Sequence, residues 1–100
     1  MRLKPSEIAY FESADNYVEV VYYDQQEVKR KLIRNTMKNI EILLSAHPRF
    51  IRCHRSYIVN LHRVKELNKN HTSNWLSLKE AEVKIPVSRQ YLIKLKESLQ

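Results

Sequence analysis

Hydrophobic and polar positions change their spacing from segment to segment along this chain, and the spacing predicts which element each segment forms. Short runs rich in Val, Ile and Tyr, separated by polar residues, are typical of β-strands. Such runs predict strands at residues 8–12, 17–23, 27–34, 50–60, 61–67, 75–78 and 82–87. Many short strands without alternation of strand and helix predict a mainly β, antiparallel domain.

A helical period of about 3.6 residues appears in two segments. Hydrophobic residues at positions 37, 40, 43 and 44 share one face of a helix predicted over residues 36–46. Asn35 or Thr36 can cap its start, and Pro48 ends it. Ser88 can cap a second short helix near the end of the chain. The pattern therefore predicts two short helices beside the strands.

Glycine is absent from the sequence. Turns that need a positive φ angle must therefore use Asn or Asp, the next most tolerant residues. The candidates for such positions are Asp15, Asn16, Asp24, Asn68, Asn70 and Asn74. Without glycine the chain also has no Walker loop and no dinucleotide-binding fingerprint, so the usual nucleotide-binding enzymes are poorly supported.

The charge balance points to a polyanionic partner. One hundred residues make one domain over 1–100, and 18 Lys and Arg against 11 Asp and Glu give a net charge of +7. Such an excess favours a nucleic acid or an anionic membrane surface. The chain has no apolar stretch of membrane-spanning length, no signal-peptide core and no interfacial helix, so no membrane role is expected. A single cysteine fits a reducing cytoplasm, the expected location.

The residues at 50–60 are the most informative stretch. Arg52, His54, Arg55 and Ser56 are polar and anion-seeking, and they lead directly into hydrophobic positions 57–59 that predict a buried strand. Groups held against a core strand are rigid, and the planar fork of Arg matches phosphate oxygens or the acceptor edge of guanine. A second such element ends at Arg89. Together they suggest a surface that binds nucleic acid.

These stretches resemble the LytTR family of DNA-binding domains. The resemblance rests on residues 8–18, on the helix at 37–44, on the run Phe50-Ile51-Arg52-Cys53-His54-Arg55-Ser56-Tyr57 and on Ile85-Pro86-Val87-Ser88-Arg89. It implies an elongated antiparallel β-β-β sandwich with little helix. Such domains usually form the output part of bacterial response regulators in two-component systems. They bind double-stranded DNA, typically at paired direct repeats in promoters, through loops that enter successive major grooves.

The resemblance also implies roles for individual residues. Base contacts fall on the turn at Asn16, on Arg55 and on Arg89. Phosphate contacts fall on the following residues: Arg52, His54, Ser56, Lys79 and Ser88. The family generally has another strand before the segment that starts at Ile8, whereas only seven residues precede it here. Either that strand is short, or the sequence is truncated at its N-terminal strand.

Catalytic and metal-binding interpretations are weaker. His54 and Ser56 resemble two members of a catalytic triad, but residues two apart on one strand cannot easily form the chain of nucleophile, base and orienting acid. The four histidines and Cys53 have no recognised metal spacing, so neither metal nor cofactor is expected. Cys53 can be a redox switch beside cations or a small buried residue. Trp75, flanked by leucines, is more often a core residue than a base-stacking one.

The sequence therefore predicts a non-enzymatic, sequence-specific DNA-binding domain of LytTR type for transcription regulation, with dimerisation on DNA left open. One alternative is an RNA or single-strand-binding β module, which would require solvent-facing Tyr17, Tyr22, Tyr57 or Trp75. Another is a protein-interaction domain that uses apolar strands to pair with a partner.

Overall fold

The computed structural model describes residues 3–99, which form two antiparallel sheets and two helices. The larger sheet has five strands in the spatial order β3-β2-β1-β5-β4. Their bounds are β1 Ile8–Ala14, β2 Tyr17–Asp24, β3 Glu27–Ile33, β4 Phe50–His54 and β5 Tyr57–Asn60. The smaller sheet contains β6 Val64–Lys69, β7 Asn74–Leu78 and β8 Ala81–Val87 in that order.

One helix connects two strands of the larger sheet, and the other follows the last strand of the smaller sheet. Helix α1 (Met37–Leu43) follows β3, and Thr36 caps it, because its hydroxyl accepts a hydrogen bond from the Asn39 backbone N–H at 3.1 Å. Helix α2 (Arg89–Leu99) follows β8 directly. The described residues measure 39 × 28 × 25 Å along their principal axes. The predicted mainly β, elongated antiparallel sandwich with two short helices is confirmed.

Two hydrophobic cores lie on opposite faces of the five-stranded sheet. The larger core packs that sheet against the three-stranded sheet and α2, with Tyr10, Leu76, Ile85 and Leu95 at its centre. The smaller core lies under α1 and includes Met37 and others from β1, β2, β4 and β5. Successive side chains of a strand point to opposite faces, so both faces of the central strands are apolar and covered, whereas the edge strand β3 is largely exposed.

The segment at 50–60 differs from the sequence-based expectation of one continuous strand. Residues 50–54 and 57–60 form two antiparallel strands, and Arg55 and Ser56 form the turn between them. Residues 61–67 also differ, because Leu61–Arg63 is a short 3-10 helix before β6 begins. The alternation of apolar residues is similar in a hairpin and in a single strand, so the pattern did not reveal the reversal.

The residues with positive φ angles are mostly not the predicted Asn and Asp positions. Positive φ angles occur at Asp15 (55°), Gln25 (52°), Gln26 (71°) and Glu80 (63°). Only Asp15 belongs to the predicted Asn and Asp positions. All four residues lie in two-residue turns between antiparallel strands, where the twist of the strands favours left-handed residues, whereas the equally short turn at Arg55 and Ser56 has no positive φ.

The strand that the resemblance implied before Ile8 is not found in residues 3–7, where a 3-10 helix covers Pro5–Glu7. Within the residues described, no helix is long and apolar enough to cross a membrane.

Candidate nucleic-acid interface

Three turns lie next to one another at the same end of their strands. They are the β1–β2 turn with Asn16, the β4–β5 turn with Arg55, and the β8–α2 junction with Ser88. The backbone N–H of Ser13 donates to the carbonyl of Ser56 at 2.9 Å, and the backbone N–H of Ser88 donates to the carbonyl of Cys53 at 3.0 Å. These two bonds join segments that are far apart in sequence into one surface.

The three residues expected to contact bases occupy this surface. Asn16, Arg55 and Arg89 are all exposed. Within residues 3–99, their side chains make no hydrogen bond or ion pair with the protein. Each is held through its backbone, in a two-residue turn or at the first position of α2, while its polar head group is available to a ligand.

The imidazole of His54 is oriented by the turn itself. Its Nδ1 accepts a hydrogen bond from the Ser56 backbone N–H at 3.1 Å, and its ring meets the Tyr57 ring edge to face at 5.7 Å between centroids. Partial burial lowers the pKa of His54, and the positive charges of Arg55 and Arg52 lower it further. The neutral ring therefore carries its proton on Nε2, which can donate to an acceptor outside the protein.

Ser88 lies at the N-terminus of α2. Its backbone carbonyl accepts a hydrogen bond from the Tyr91 N–H at 3.1 Å. Its hydroxyl oxygen is buried and has no partner among the described protein atoms. The first backbone N–H groups of a helix and its dipole favour an anion. This junction is therefore chemically suited to a phosphate oxygen.

Arg52 is a neighbour of these residues in sequence, but its side chain faces the protein. Its guanidinium donates to the backbone carbonyls of His54 and Arg55 on the adjoining turn, and to the carboxylate of Glu41 on α1. Its side chain is only 17% exposed. It therefore differs from Arg55 and Arg89, whose head groups are not engaged within the described chain.

Lys79 lies away from the other predicted residues. The seven residues of β8 separate its turn from Ser88, which corresponds to about 20 Å of extended strand. Its neighbours are at that opposite end: its carbonyl accepts a hydrogen bond from the Tyr23 hydroxyl at 2.7 Å, and its backbone N–H donates to the Arg63 carbonyl at 2.8 Å. Seven of the eight predicted site residues are thus brought together, and Lys79 is not.

The structure adds one cation that sequence reasoning missed. Arg34 is exposed and lines a shallow depression together with Asn16. The register of the β2–β3 hairpin explains this, because Val18 pairs with Ile33 and the next residue reaches the β1–β2 turn. Counting that register outward from the two-residue turn at 25–26 would have placed Arg34 here.

Cys53 is a buried residue of the larger core. It is fully buried, and desolvation raises the pKa of its thiol to about 12. The interpretation as a small buried residue is confirmed, since such a thiol is neither exposed nor ionised. Its contribution to the surface is the backbone carbonyl that accepts the hydrogen bond from Ser88.

The aromatic residues form no broad stacking platform. Tyr17 is 43% exposed, whereas Tyr22, Tyr57 and Trp75 are partly buried. The ammonium of Lys84 lies 4.8 Å from the centroid of the Trp75 ring. Residues 3–99 also contain no group of three His, Cys, Asp or Glu side chains that could hold a metal ion.

Comparison with known proteins gives a consistent family assignment. A family model described as the LytTr DNA-binding domain matches residues 1–100. Among solved structures, a LytTr DNA-binding domain of a response regulator from Bacillus cereus superposes with a TM-score of 0.82 at 28% identity, covering 99% of this chain and 86% of that one.

Two curated relatives are regulators. The transcriptional regulatory protein BtsR of Escherichia coli K12 is 33% identical over 79 residues, which cover 79% of this chain and 31% of BtsR. An uncharacterized response regulatory protein of Vibrio cholerae serotype O1 is 43% identical over 49 residues, covering 49% of this chain and 21% of that protein. The matched parts of this chain span less than a third of either relative.

Proposed function

The chain belongs to the family of LytTr DNA-binding domains, and from that premise we propose that it binds a specific double-stranded DNA sequence in the bacterial cytoplasm to regulate transcription. Its regulatory relatives support the second half of this proposal. We further propose that residues 1–100 act as one such domain and have no enzymatic activity.

The observation that carries the proposal is the joining of three turns by two main-chain hydrogen bonds. The bonds from Ser13 to Ser56 and from Ser88 to Cys53 bring together the segments that carry three exposed polar side chains. Rigid placement of hydrogen-bonding groups is what base recognition requires, because each base pair presents its own pattern of donors and acceptors in the major groove.

We propose that some of these side chains contact bases and others contact phosphates. Asn16 can pair with adenine, and Arg55 and Arg89 can each donate two hydrogen bonds to guanine. We assign phosphate contacts to His54, to Ser56 and to the helix start at Ser88, and these contacts would fix the register of the domain on the duplex. Arg34 adds a cation beside Asn16 and extends the phosphate-binding surface.

The order of the three turns supports contact with successive major grooves. The β4–β5 turn lies between the other two, because it is bonded to Ser13 on one side and to Ser88 on the other. The outer turns can therefore enter neighbouring major grooves on one face of the duplex. Neighbouring grooves are about one helical turn apart. Two domains, bound as a pair, would occupy paired direct repeats.

Lys79 is left out of this interface because of its place at the opposite end. A phosphate contact from Lys79 would have to lie about 20 Å from those of the three turns. The lysine therefore offers a matched control, since its substitution removes one exposed positive charge without touching the proposed surface.

Selection of bound sequences from a random duplex pool tests the proposal directly. We expect a defined site with two conserved blocks, and competition by duplex but not by single strands of the same sequence. Affinity should fall with salt, and 4–8 phosphate contacts give a slope of roughly −4 to −7 in log affinity against log salt. Enrichment of no sequence, or preference for single strands, would favour the single-strand-binding alternative; a flat salt response would favour protein interaction.

A further inference from the structure

We propose that Arg52 is a positioning residue that holds the β4–β5 turn in the shape that presents Arg55 to DNA, and that it does not itself bind phosphate. This inference rests on the proposed function. It concerns a different property of the same surface, because it assigns to an internal contact what the family resemblance assigned to a DNA contact.

The guanidinium of Arg52 contacts the backbone of the β4–β5 turn at two points. Its Nε donates to the His54 carbonyl at 3.0 Å, and one terminal nitrogen donates to the Arg55 carbonyl. These two carbonyls belong to successive residues at the point where the chain reverses. One planar group therefore holds both peptide units of the turn at once through two separate nitrogens, whereas Lys would have to reach both carbonyls and Glu41 from a single nitrogen.

The second step is the anchoring of the guanidinium itself. The other terminal nitrogen donates to the Glu41 carboxylate at 3.1 Å. Glu41 lies on α1, and Ile40 beside it is buried in the smaller core. The carboxylate both orients Arg52 and offsets its charge. The shape of the turn is thus tied to helix α1.

The third step is a comparison with the arginines that face outward. Each of the three guanidinium nitrogens of Arg52 donates one hydrogen bond inside the protein, which uses three of its five N–H groups, and the side chain is only 17% exposed. Binding a phosphate with the same head group would place Glu41 next to that phosphate, where like charges repel. Arg55 and Arg89 have neither constraint within the described chain.

Arg52→Lys tests the proposal, because it keeps the positive charge and removes the planar fork. A positioning role predicts a loss of about 5- to 100-fold in affinity for the selected site, comparable to the loss of one base contact. Affinity for a scrambled duplex and the salt slope should stay unchanged. A phosphate role predicts the opposite: Arg52→Lys keeps most of its affinity for both duplexes, while Arg52→Met weakens both and flattens the slope by about one unit.

A double-mutant cycle sharpens the result. If Arg52 acts through Arg55, then Arg52→Lys should cost little further affinity in an Arg55→Ala background. Additive losses in the cycle would overturn the proposal. Glu41→Gln is the milder companion variant, since it keeps an acceptor oxygen and removes the charge; we expect a smaller loss of site affinity with an unchanged salt slope.

A measurement without DNA separates this inference from the proposed function. Backbone relaxation or amide exchange of Arg55 and Ser56 in the free protein should show a more mobile turn in Arg52→Lys and, less strongly, in Glu41→Gln. An unchanged turn would overturn the positioning role even if the domain binds its site normally. If the unmodified protein prefers no sequence but the turn loosens, the proposed function fails and the role of Arg52 in shaping the turn stands.

Discussion

Replacing either outward-facing arginine with alanine should remove recognition of one base pair while leaving the fold intact. Arg55 and Arg89 are exposed, and within the described residues their side chains make no hydrogen bond or ion pair with the protein. Truncation should therefore leave the free energy of unfolding within about 0.5 kcal/mol of its original value, as for other surface substitutions. Any loss of binding then reports on DNA contact.

The size of the loss follows from the number of groups that can contact bases. Three such groups, Asn16, Arg55 and Arg89, at about 1–3 kcal/mol each would give roughly 3–9 kcal/mol of discrimination. That sum is comparable to the approximately 4–10 kcal/mol that usually separates specific from non-specific DNA binding. Each Arg→Ala change should therefore cost about 5- to 150-fold in affinity for the selected site.

The assay is a titration of each variant against the selected duplex, against that duplex with single base pairs changed, and against a scramble. Arg55→Ala and Arg89→Ala should each become indifferent to a different base pair, and affinity for the scramble should fall only slightly. Lys79→Ala is the charge-matched control; because it lies at the opposite end of β8, it should change none of these affinities by more than about twofold.

Two results would refute this reasoning. Equal losses of affinity for site and scramble would mean that the arginines only hold phosphates. A loss in Lys79→Ala as large as in Arg89→Ala would mean that the interface extends along the whole molecule and is not confined to the three joined turns.

Three further predictions concern other parts of the chain. Arg34→Ala should weaken site and scramble alike and flatten the salt slope by about one unit, which titration at several salt concentrations will show; a slope equal to that of the unmodified protein would remove Arg34 from the interface. Both Gln25 and Gln26 have positive φ, which Asn and Gly adopt more readily. Replacing them with Asn-Gly should therefore raise the free energy of unfolding, measured by urea denaturation, by about 1 kcal/mol and leave DNA binding unchanged. An unchanged or lower free energy of unfolding would contradict this. The pKa of His54 is lowered in the folded state, so the unfolded chain takes up a proton first as pH falls below about 6.5. The free energy of unfolding should therefore decrease as pH falls from about 6.5 to the folded-state pKa, and it should decrease less in His54→Asn. Parallel curves of unfolding free energy against pH for the two proteins would disprove this.

The sequence predicted the elements well because their signals are local. Alternation and helical spacing depend on neighbouring residues, and the hairpin at 17–34 and both helices lie within a few residues of their predicted bounds. The reversal at Arg55 was missed, because the apolar alternation continues across it. The left-handed positions at 25 and 26 were missed because the length of a turn can override the preference of its residues.

The site was harder to predict because its geometry depends on contacts between distant segments. Motifs singled out Arg55, Ser88 and Arg89, which the fold brings onto one surface, but no pattern in the sequence tells which end of a strand each turn occupies. Lys79 was therefore grouped with residues about 20 Å away. The inward orientation of Arg52 depends on Glu41, eleven residues earlier and on a helix, and that contact exists only in the folded protein.

The hydrogen bonds that join the three turns use main-chain atoms alone, and this gives the surface a freedom that side-chain contacts would not. Ser13 and Ser88 donate through their backbone N–H groups, and Cys53 and Ser56 accept through their carbonyls. Among the twenty residue types, only proline at either donor position would remove such a bond. The outward-facing side chains can therefore be exchanged while the frame that carries them stays the same. If the domain recognises bases through this surface as proposed, a library randomised at positions 16, 55 and 89 should yield variants that prefer other DNA sequences.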